Sequence, residues 1–337
     1  MKTEPVLVVG SGAIGAIVGF HLLKSGRETH FVDANEDHVR AVRENGLRVS
    51  GTIDETLPAT IMTPAEVRAR YPMVLLAVKA PHTLEALPTV SAALDPDGCV
   101  VSLQNGLEEY KIADAVGAER TIGGYLTFGG FYVEPGHVKY GGTGSFKIGE
   151  IDGSRSRRVA ELADMLSTQQ PVDVTTNIFG FLWAKMALGA VYFGTAVVDA
   201  DVVDIYDHNE ARAVLGRLAG EVVSVADAMQ VAIETSDGFD PQAFRAGRHD
   251  ATAIAASWDA QRAYWNSHDN KRTGVWRDLA IHKRPTEVDF QIKPVIELAQ
   301  ERGVAVPHLR RIYDVVKAIE DGSQPLSMQA LLSVGRP

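Results

Sequence analysis

Val6-Leu7-Val8-Val9-Gly10-Ser11-Gly12-Ala13-Ile14-Gly15, running on through Ala16 to Gly26 and then Thr29-His30-Phe31-Val32-Asp33, decides the fold of this 337-residue chain. Val6 to Val9 is an unbroken apolar run, the pattern of a strand buried on both faces. The glycine turn follows at once and leads into a helix that Gly26 closes. A second strand then ends on Asp33. In such a unit Gly10 permits a tight turn, Gly12 lets the backbone approach a pyrophosphate, and Gly15 lets the helix lie close on the strand. The helix N-terminus faces the anion. A lone GxGxxG is a common structural turn, but here strand, turn, helix, strand and terminal acid occur in register, so Gly10, Ser11, Gly12, Ala13, Ile14 and Gly15 are read as a dinucleotide cradle. Asp33 stands 18 residues beyond Gly15, where it can accept hydrogen bonds from an adenosine ribose. A carboxylate there would repel a 2′-phosphate, so NAD is expected over NADP; Arg40 or Arg43 on the next helix could rescue the phosphate.

Outward from this unit, the length suggests two domains, and 45% hydrophobic residues suffice for sizeable cores. The net charge of -10, without a long basic block, argues against nucleic acid or a membrane surface as partner. The single cysteine, Cys99, lies in an apolar run and reads as a core residue, which excludes an intrachain disulfide framework. Met1-Lys2-Thr3-Glu4-Pro5 opens directly into the first strand without a signal peptide, and no apolar stretch long enough to span a membrane is seen. A cytoplasmic protein is expected.

Taken in order, Glu36 to Asn45 reads as a helix and Leu47 to Gly51 as the start of a hairpin-like excursion. Met73 to Val78 is a buried strand ending in Lys79. After a helix over Thr83 to Leu94 and a turn at Asp95-Pro96-Asp97-Gly98, Cys99 to Leu103 is another, ending in Gln104-Asn105-Gly106. Carboxyl ends of strands in a doubly wound sheet face the ligand crevice, so Lys79 and Asn105 are candidate contacts for cofactor or substrate. From Thr121 to Gly149 glycine-rich segments read as antiparallel strands appended to that sheet. A helix from Ser154 to Leu166 and a short strand, Val172 to Thr175, complete an α/β, Rossmann-type domain over residues 1–176. Residues 177–337 are almost entirely helical in pattern, and a cleft between the two is the expected site. The apolar runs Leu182 to Val198 and Val214 to Met229 could supply a homodimer face or a monomer core. The histidines lack metal-site spacing, so no metal is predicted.

Read together, these residues resemble the ketopantoate reductase family over nearly the whole chain. The marks are the glycine turn, the strand ending in Lys79, Leu103-Gln104-Asn105-Gly106-Leu107, Pro135-Gly136-His137, Trp183-Ala184-Lys185, Arg284-Pro285-Thr286-Glu287-Val288-Asp289 and Gly303-Val304-Ala305-Val306-Pro307. The resemblance implies a helical second domain like the C-terminal domain of 6-phosphogluconate dehydrogenase, and site roles at the matching positions. Lys185 would be the acid that protonates the carbonyl oxygen as hydride reaches carbon, and a positioned ammonium suits the charge that develops there. Glu287 would contact the substrate hydroxyl and hold the lysine. Asn105 would order nicotinamide and substrate, with Lys79 the cation on the cofactor side. Lys185 is flanked by Phe181-Leu182-Trp183 and Met186-Ala187-Leu188, which puts it on a partly buried helix rather than a solvated one.

Departures fall on the substrate side. Where the family carries asparagines four and eight residues after the lysine, this chain has Gly189 and Phe193. Lys293 replaces a glycine after the Thr-Glu-Val-Asp motif, and Asp237 to Arg272 is extended. The expectation is an NAD-dependent oxidoreductase interconverting another hydroxy acid and its oxo acid. The alternatives are a true 2-dehydropantoate 2-reductase, a non-catalytic dinucleotide-binding sensor, and, more remotely, an amine-dependent opine-type reaction. Arg248, His249, His268, His282 and Lys283 are candidate carboxylate anchors.

Overall fold

The computed structural model describes residues 4–248 and 250–336. The chain divides into two compact units, Met1–Ile178 and Phe179–Pro337.

The first unit is built on an eight-stranded sheet. Its strands and helices, with those of a smaller sheet, are β1 (Val6–Val9), α1 (Ala13–Lys24), β2 (Thr29–Val32), α2 (Glu36–Asn45), β3 (Leu47–Gly51), β4 (Glu55–Leu57), β5 (Thr60–Met62) and β6 (Tyr71–Leu76). They continue through α3 (Thr83–Ala93), β7 (Leu94–Ser102), α4 (Glu108–Val116), β8 (Thr121–Leu126), β9 (Gly130–Glu134), β10 (His137–Tyr140), β11 (Phe146–Glu150), α5 (Arg157–Leu166) and β12 (Asp173–Val174). The large sheet runs β12-β11-β8-β7-β6-β1-β2-β5. From β5 to β8 neighbouring strands are parallel, β11 pairs antiparallel with β8, and β12 is parallel to β11. The order reverses beside β1: the chain builds outward through β2 and β5, then returns to lay β6 on the other flank of β1. Ligand crevices of doubly wound sheets open at such a reversal, outside the strands' carboxyl ends.

Alternation along β1 divides the core, because successive side chains point to opposite faces. Val6 and Val8 join one apolar layer with α1 and α5, and Leu7 and Val9 join the other with α3 and α4. Each is fully or almost fully buried, which stabilises the unit by about 1.5–3 kcal/mol per side chain.

The sheets depart from the sequence expectation in two places. β9 and β10 are not appended to the large sheet; they form a separate four-stranded sheet, β4-β3-β10-β9, in which β10 is parallel to β3. The hairpin lies against α1, where a Cβ on Gly130 would come within 2.7 Å of Ile17 Cδ1. The supposed turn at Asp95 to Gly98 lies inside β7, which pairs with β6 from Leu94 and shifts register before Cys99. Cys99 itself is buried, as expected, and burial pushes its thiol above the ordinary value.

The second unit continues from α6 (Ile178–Ala196) through α7 (Val202–Asp207), α8 (Asn209–Ala228), α9 (Ala251–Asn266), α10 (Gly274–Arg277), α11 (Val288–Gln291), α12 (Lys293–Glu301), α13 (Pro307–Glu320) and α14 (Met328–Val334). At 19 residues and mean hydropathy 1.3, α6 is long and apolar enough to cross a membrane, contrary to the sequence expectation, yet 72% of it is buried inside the fold. Gly194 on α6 admits α8 closely, since a Cβ there would fall 2.4 Å from Leu215 Cδ2. Most apolar residues of the two runs proposed for a dimer face, including Leu182, Val191, Val214, Leu218 and Val222, are already buried in the chain itself.

Candidate functional site

In the first unit the glycines have distinct constraints. Gly10 has φ +91°, and a Cβ on it would lie 2.6 Å from the Val78 amide nitrogen, so the turn after β1 touches the chain leaving β6 at the sheet's reversal. A Cβ on Gly15 would collide with the Gly10 carbonyl at 2.0 Å. Around Gly12, by contrast, a Cβ would meet nothing within 4 Å. Gly12 is also the N-cap of α1, with no side-chain cap and no acid in the first turn. The helix end thus offers its orphan amides and positive dipole beside open space, which suits a pyrophosphate.

Asp33 is tied into this turn. Its Oδ2 accepts from the Ser11 amide at 2.9 Å and the Ser11 hydroxyl at 3.1 Å, and its Oδ1 accepts from the Asn35 amide at 2.9 Å. A carboxylate offers about four lone-pair sites, so acceptor capacity remains for a ribose hydroxyl. The two arginines that could receive a 2′-phosphate are engaged: Arg40 with Asp37, and Arg43 with Glu66 at 2.6 Å and with the Ile61 carbonyl. Arg43, with hydrogen bonds from Thr63, holds the Glu66 carboxyl down at about 2. Beneath α2, buried His38 accepts at Nδ1 from the Gly136 amide at 3.0 Å, tying that helix to the turn between β9 and β10. Burial lowers its pKa, with nearby Asp33 opposing.

Lys79 and Asn105 are exposed residues just beyond β6 and β7. Between these strand ends, buried Gln104 donates from Nε2 to the Val78 carbonyl at 2.9 Å and to Thr83 Oγ1 at 2.8 Å. One side chain therefore fixes the backbone next to both candidates. The sequence signal for Gln104 is a polar residue between the buried Leu103 and the exposed Asn105.

In the second unit, the positions of α6 from Gly180 to Ala196 are buried except Phe181, Lys185, Gly189 and Tyr192. Spacings of four, four and three place these on one face of a helix. Lys185 thus sits on the single accessible stripe of an apolar core helix, as its flanking residues implied. At the far end Tyr192 donates to Gln261 Oε1 on α9 at 2.9 Å and packs edge-on against Trp265, so α9 closes that end. Phe193 is in the core. Gly189 leaves the stripe bare: a Cβ there would meet only Gln291 Oε1, at 3.4 Å.

Glu287 precedes α11, and the residues on either side of it are bolted to α13. The Thr286 amide and hydroxyl both donate to Glu320 Oε1 at 2.7 Å. Asp289 accepts from the Tyr313 hydroxyl at 2.6 Å and from Lys317 at 3.1 Å, and Lys317 also bridges to Glu320. Burial would raise the Asp289 carboxyl, but the Tyr313 and Lys317 hydrogen bonds outweigh it and hold the group below its ordinary value. α13 is in turn seated by Glu221 of α8, which accepts from the His308 and Leu309 amides at its N-terminus. Glu287 itself accepts from Gln291 Nε2 at 2.9 Å. Sequence reading missed Glu320, Tyr313, Lys317 and Gln291; only Gln291 carried a signal, four residues after Glu287 on a helix.

The proposed carboxylate anchors are locally engaged or outside this group. Arg248 pairs with Asp250 at 3.4 Å and His268 donates to the Tyr264 carbonyl at 2.7 Å. His282 and Lys283 are exposed, and His249 lies outside the described residues.

Comparison with known proteins follows the same division. Residues 6–153 match the family described as ketopantoate reductase PanE/ApbA, and residues 177–320 match its C-terminal counterpart. A 2-dehydropantoate 2-reductase from Halobacterium salinarum is 30% identical over 324 residues, covering 94% of this chain and 99% of the relative. Among solved structures, a PanE/ApbA family ketopantoate reductase from Ralstonia eutropha JMP134 superposes with TM-score 0.77 at 25% identity, over 94% of this chain and 98% of the other. A ternary structure of D-mandelate dehydrogenase with NADH and anilino(oxo)acetate shares the fold, with TM-score 0.78 at 22% identity over 94% and 98% of the two chains.

Proposed function

The chain belongs to the ketopantoate reductase family, and from that premise we propose that it interconverts a hydroxy acid and its oxo acid by hydride transfer, with NAD as cofactor. The class is that of oxidoreductases acting on CH–OH groups with a nicotinamide dinucleotide. We assign the cofactor to a domain of residues 1–176 and the catalytic groups chiefly to residues 177–337.

A nicotinamide dinucleotide held at the glycine turn would supply the hydride chemistry in either direction. Negative charge then develops on the substrate's carbonyl oxygen. In our reading the Lys185 ammonium stabilises that charge and delivers the proton; in oxidation the amine takes it back. Glu287 holds the substrate and keeps the lysine in place, Asn105 orders nicotinamide and substrate, and Lys79 adds positive charge on the cofactor side. The observation that carries this reading is the position of Lys185 on the one accessible stripe of an otherwise buried helix, since lysine is seldom placed in such surroundings without a task. The Asp33 carboxylate and the engagement of Arg40 and Arg43 support NAD over NADP. We also propose a homodimer, as a fold neighbour described as a dimeric ketopantoate reductase from Staphylococcus aureus sets the precedent. Its face would lie outside the buried runs of α6 and α8.

The test is absorbance at the reduced-nicotinamide band with NAD or NADP, a panel of hydroxy acids, and 2-dehydropantoate with the reduced cofactors. Turnover with NAD should fall by about 100-fold or more in Lys185→Ala, the scale of a lost acid–base group. The relatives' activity favours a second reading, a true 2-dehydropantoate 2-reductase, and turnover of that compound alone with NADPH would select it and refute the Asp33 argument. Tight NAD binding with no turnover across the panel would favour the sensor.

A further inference from the structure

We infer that Gln291 builds the substrate's side-chain subsite on the bare surface of Gly189, and that the subsite selects hydroxy and oxo acids whose substituent carries a hydrogen-bond donor. This rests on the reading of Lys185 and Glu287 as the catalytic pair.

The orientation of the Gln291 amide is set by chemistry. An ionised carboxylate only accepts, so the NH2 group must be the end that meets Glu287 Oε2, 2.9 Å away. The carbonyl Oε1 is thereby turned the other way, to 3.4 Å from the place a Cβ would take on residue 189. No donor among the described residues reaches it. Nothing else lies within 4 Å of that place, so the surface in front of Gly189 is open.

Lys185 is one turn back along the same stripe, about 6 Å along the helix axis. Glu287 is one turn back from Gln291 in the same way. A substrate whose oxygen meets Lys185 therefore has an empty surface one turn away, with a single fixed acceptor at its edge. A hydroxyl or N–H placed there completes the amide's bonding, whereas an alkyl group would desolvate Oε1 without replacing its hydrogen bond and a carboxylate would repel it.

Oxamate and pyruvate test this directly, because they are close in shape and differ in an amide NH2 where pyruvate has a methyl. Neither is reduced by the NAD-loaded enzyme, so calorimetric titration reads binding alone. Oxamate should bind wild type about tenfold tighter than pyruvate, the worth of one hydrogen bond of ordinary strength. In Gln291→Leu the two affinities should converge to within about twofold, and in Gly189→Ala, which narrows the surface, both should weaken while oxamate stays ahead. Equal affinities in wild type, failure of both to bind, or a preference that survives Gln291→Leu in a variant with wild-type melting behaviour overturns the inference. Lys185→Ala separates the two levels: if turnover is lost there while the oxamate preference ignores Gln291, the catalytic reading stands and the subsite falls. If turnover survives Lys185→Ala, the catalytic reading itself is wrong.

Discussion

Gly12 and Gly15 are interchangeable letters in a motif, but their surroundings give them opposite behaviour on substitution. Gly15→Ala forces a Cβ against the Gly10 carbonyl, and overpacking of that kind costs about 1–3 kcal/mol. The melting temperature should drop and NADH binding should weaken with it. Gly12→Ala meets no protein atom and has ordinary backbone angles, φ -66° and ψ -163°. It should melt as wild type does yet bind NADH at least about tenfold more weakly, because the added methyl occupies the approach we assign to the pyrophosphate. Fluorescence titration beside thermal melts distinguishes the pair. This turn of the candidate site was legible in the sequence because it is local: ten consecutive residues define it. The supports were not legible for the converse reason. Gln104 shows its purpose only when Val78 and Thr83 are brought beside it, and Glu320 only when α13 reaches Thr286.

At the scale of elements, α11 is too short to hold itself, and α13 holds it. Asp289→Asn removes the charge that Tyr313 and Lys317 grip, a loss on the order of 1–3 kcal/mol for hydrogen bonds to a charged group. Turnover should fall while NADH affinity, which we assign to the other unit, stays at the wild-type value. The joint between α2 and the β9–β10 turn responds to pH instead. His38 is buried and neutral, its pKa lowered by burial, and its Nδ1 must stay unprotonated to accept from Gly136. The unfolded chain binds that proton more readily, so the contribution is complete above the ordinary histidine value of about 6.5 and is lost as pH falls below it. Denaturant unfolding should therefore show less stability at pH 5.5 than at pH 7.5, and His38→Asn, which keeps an acceptor but cannot titrate, should flatten that slope. His21, whose pKa is also lowered mainly by burial, adds to the wild-type slope and remains in the variant.

For the whole molecule, the strands of the large sheet were readable because each is a short apolar run closed by a turn signal. The small sheet was not, since its central pairing joins Arg48 to His137 and no local pattern announces a partner so distant. Two units, each with its own buried core, lead to a thermal prediction: scanning calorimetry should give more than one two-state component, with NADH raising the component that Gly15→Ala lowers. The exposed position of Asn105 beyond β7 has a chemical consequence as well. Its neighbour is Gly106, and a glycine amide next to an asparagine is unusually free to attack the side-chain carbonyl. Ammonia leaves, a cyclic imide forms, and water opens it to aspartate or isoaspartate. Ageing the protein in warm, mildly alkaline buffer would thus write a carboxylate into the loop assigned to nicotinamide, and peptide mass spectrometry would follow the lost amide as activity decays. The enzyme would carry its own clock at Asn105, and a nicotinamide dinucleotide held over that loop, as we propose, should slow it.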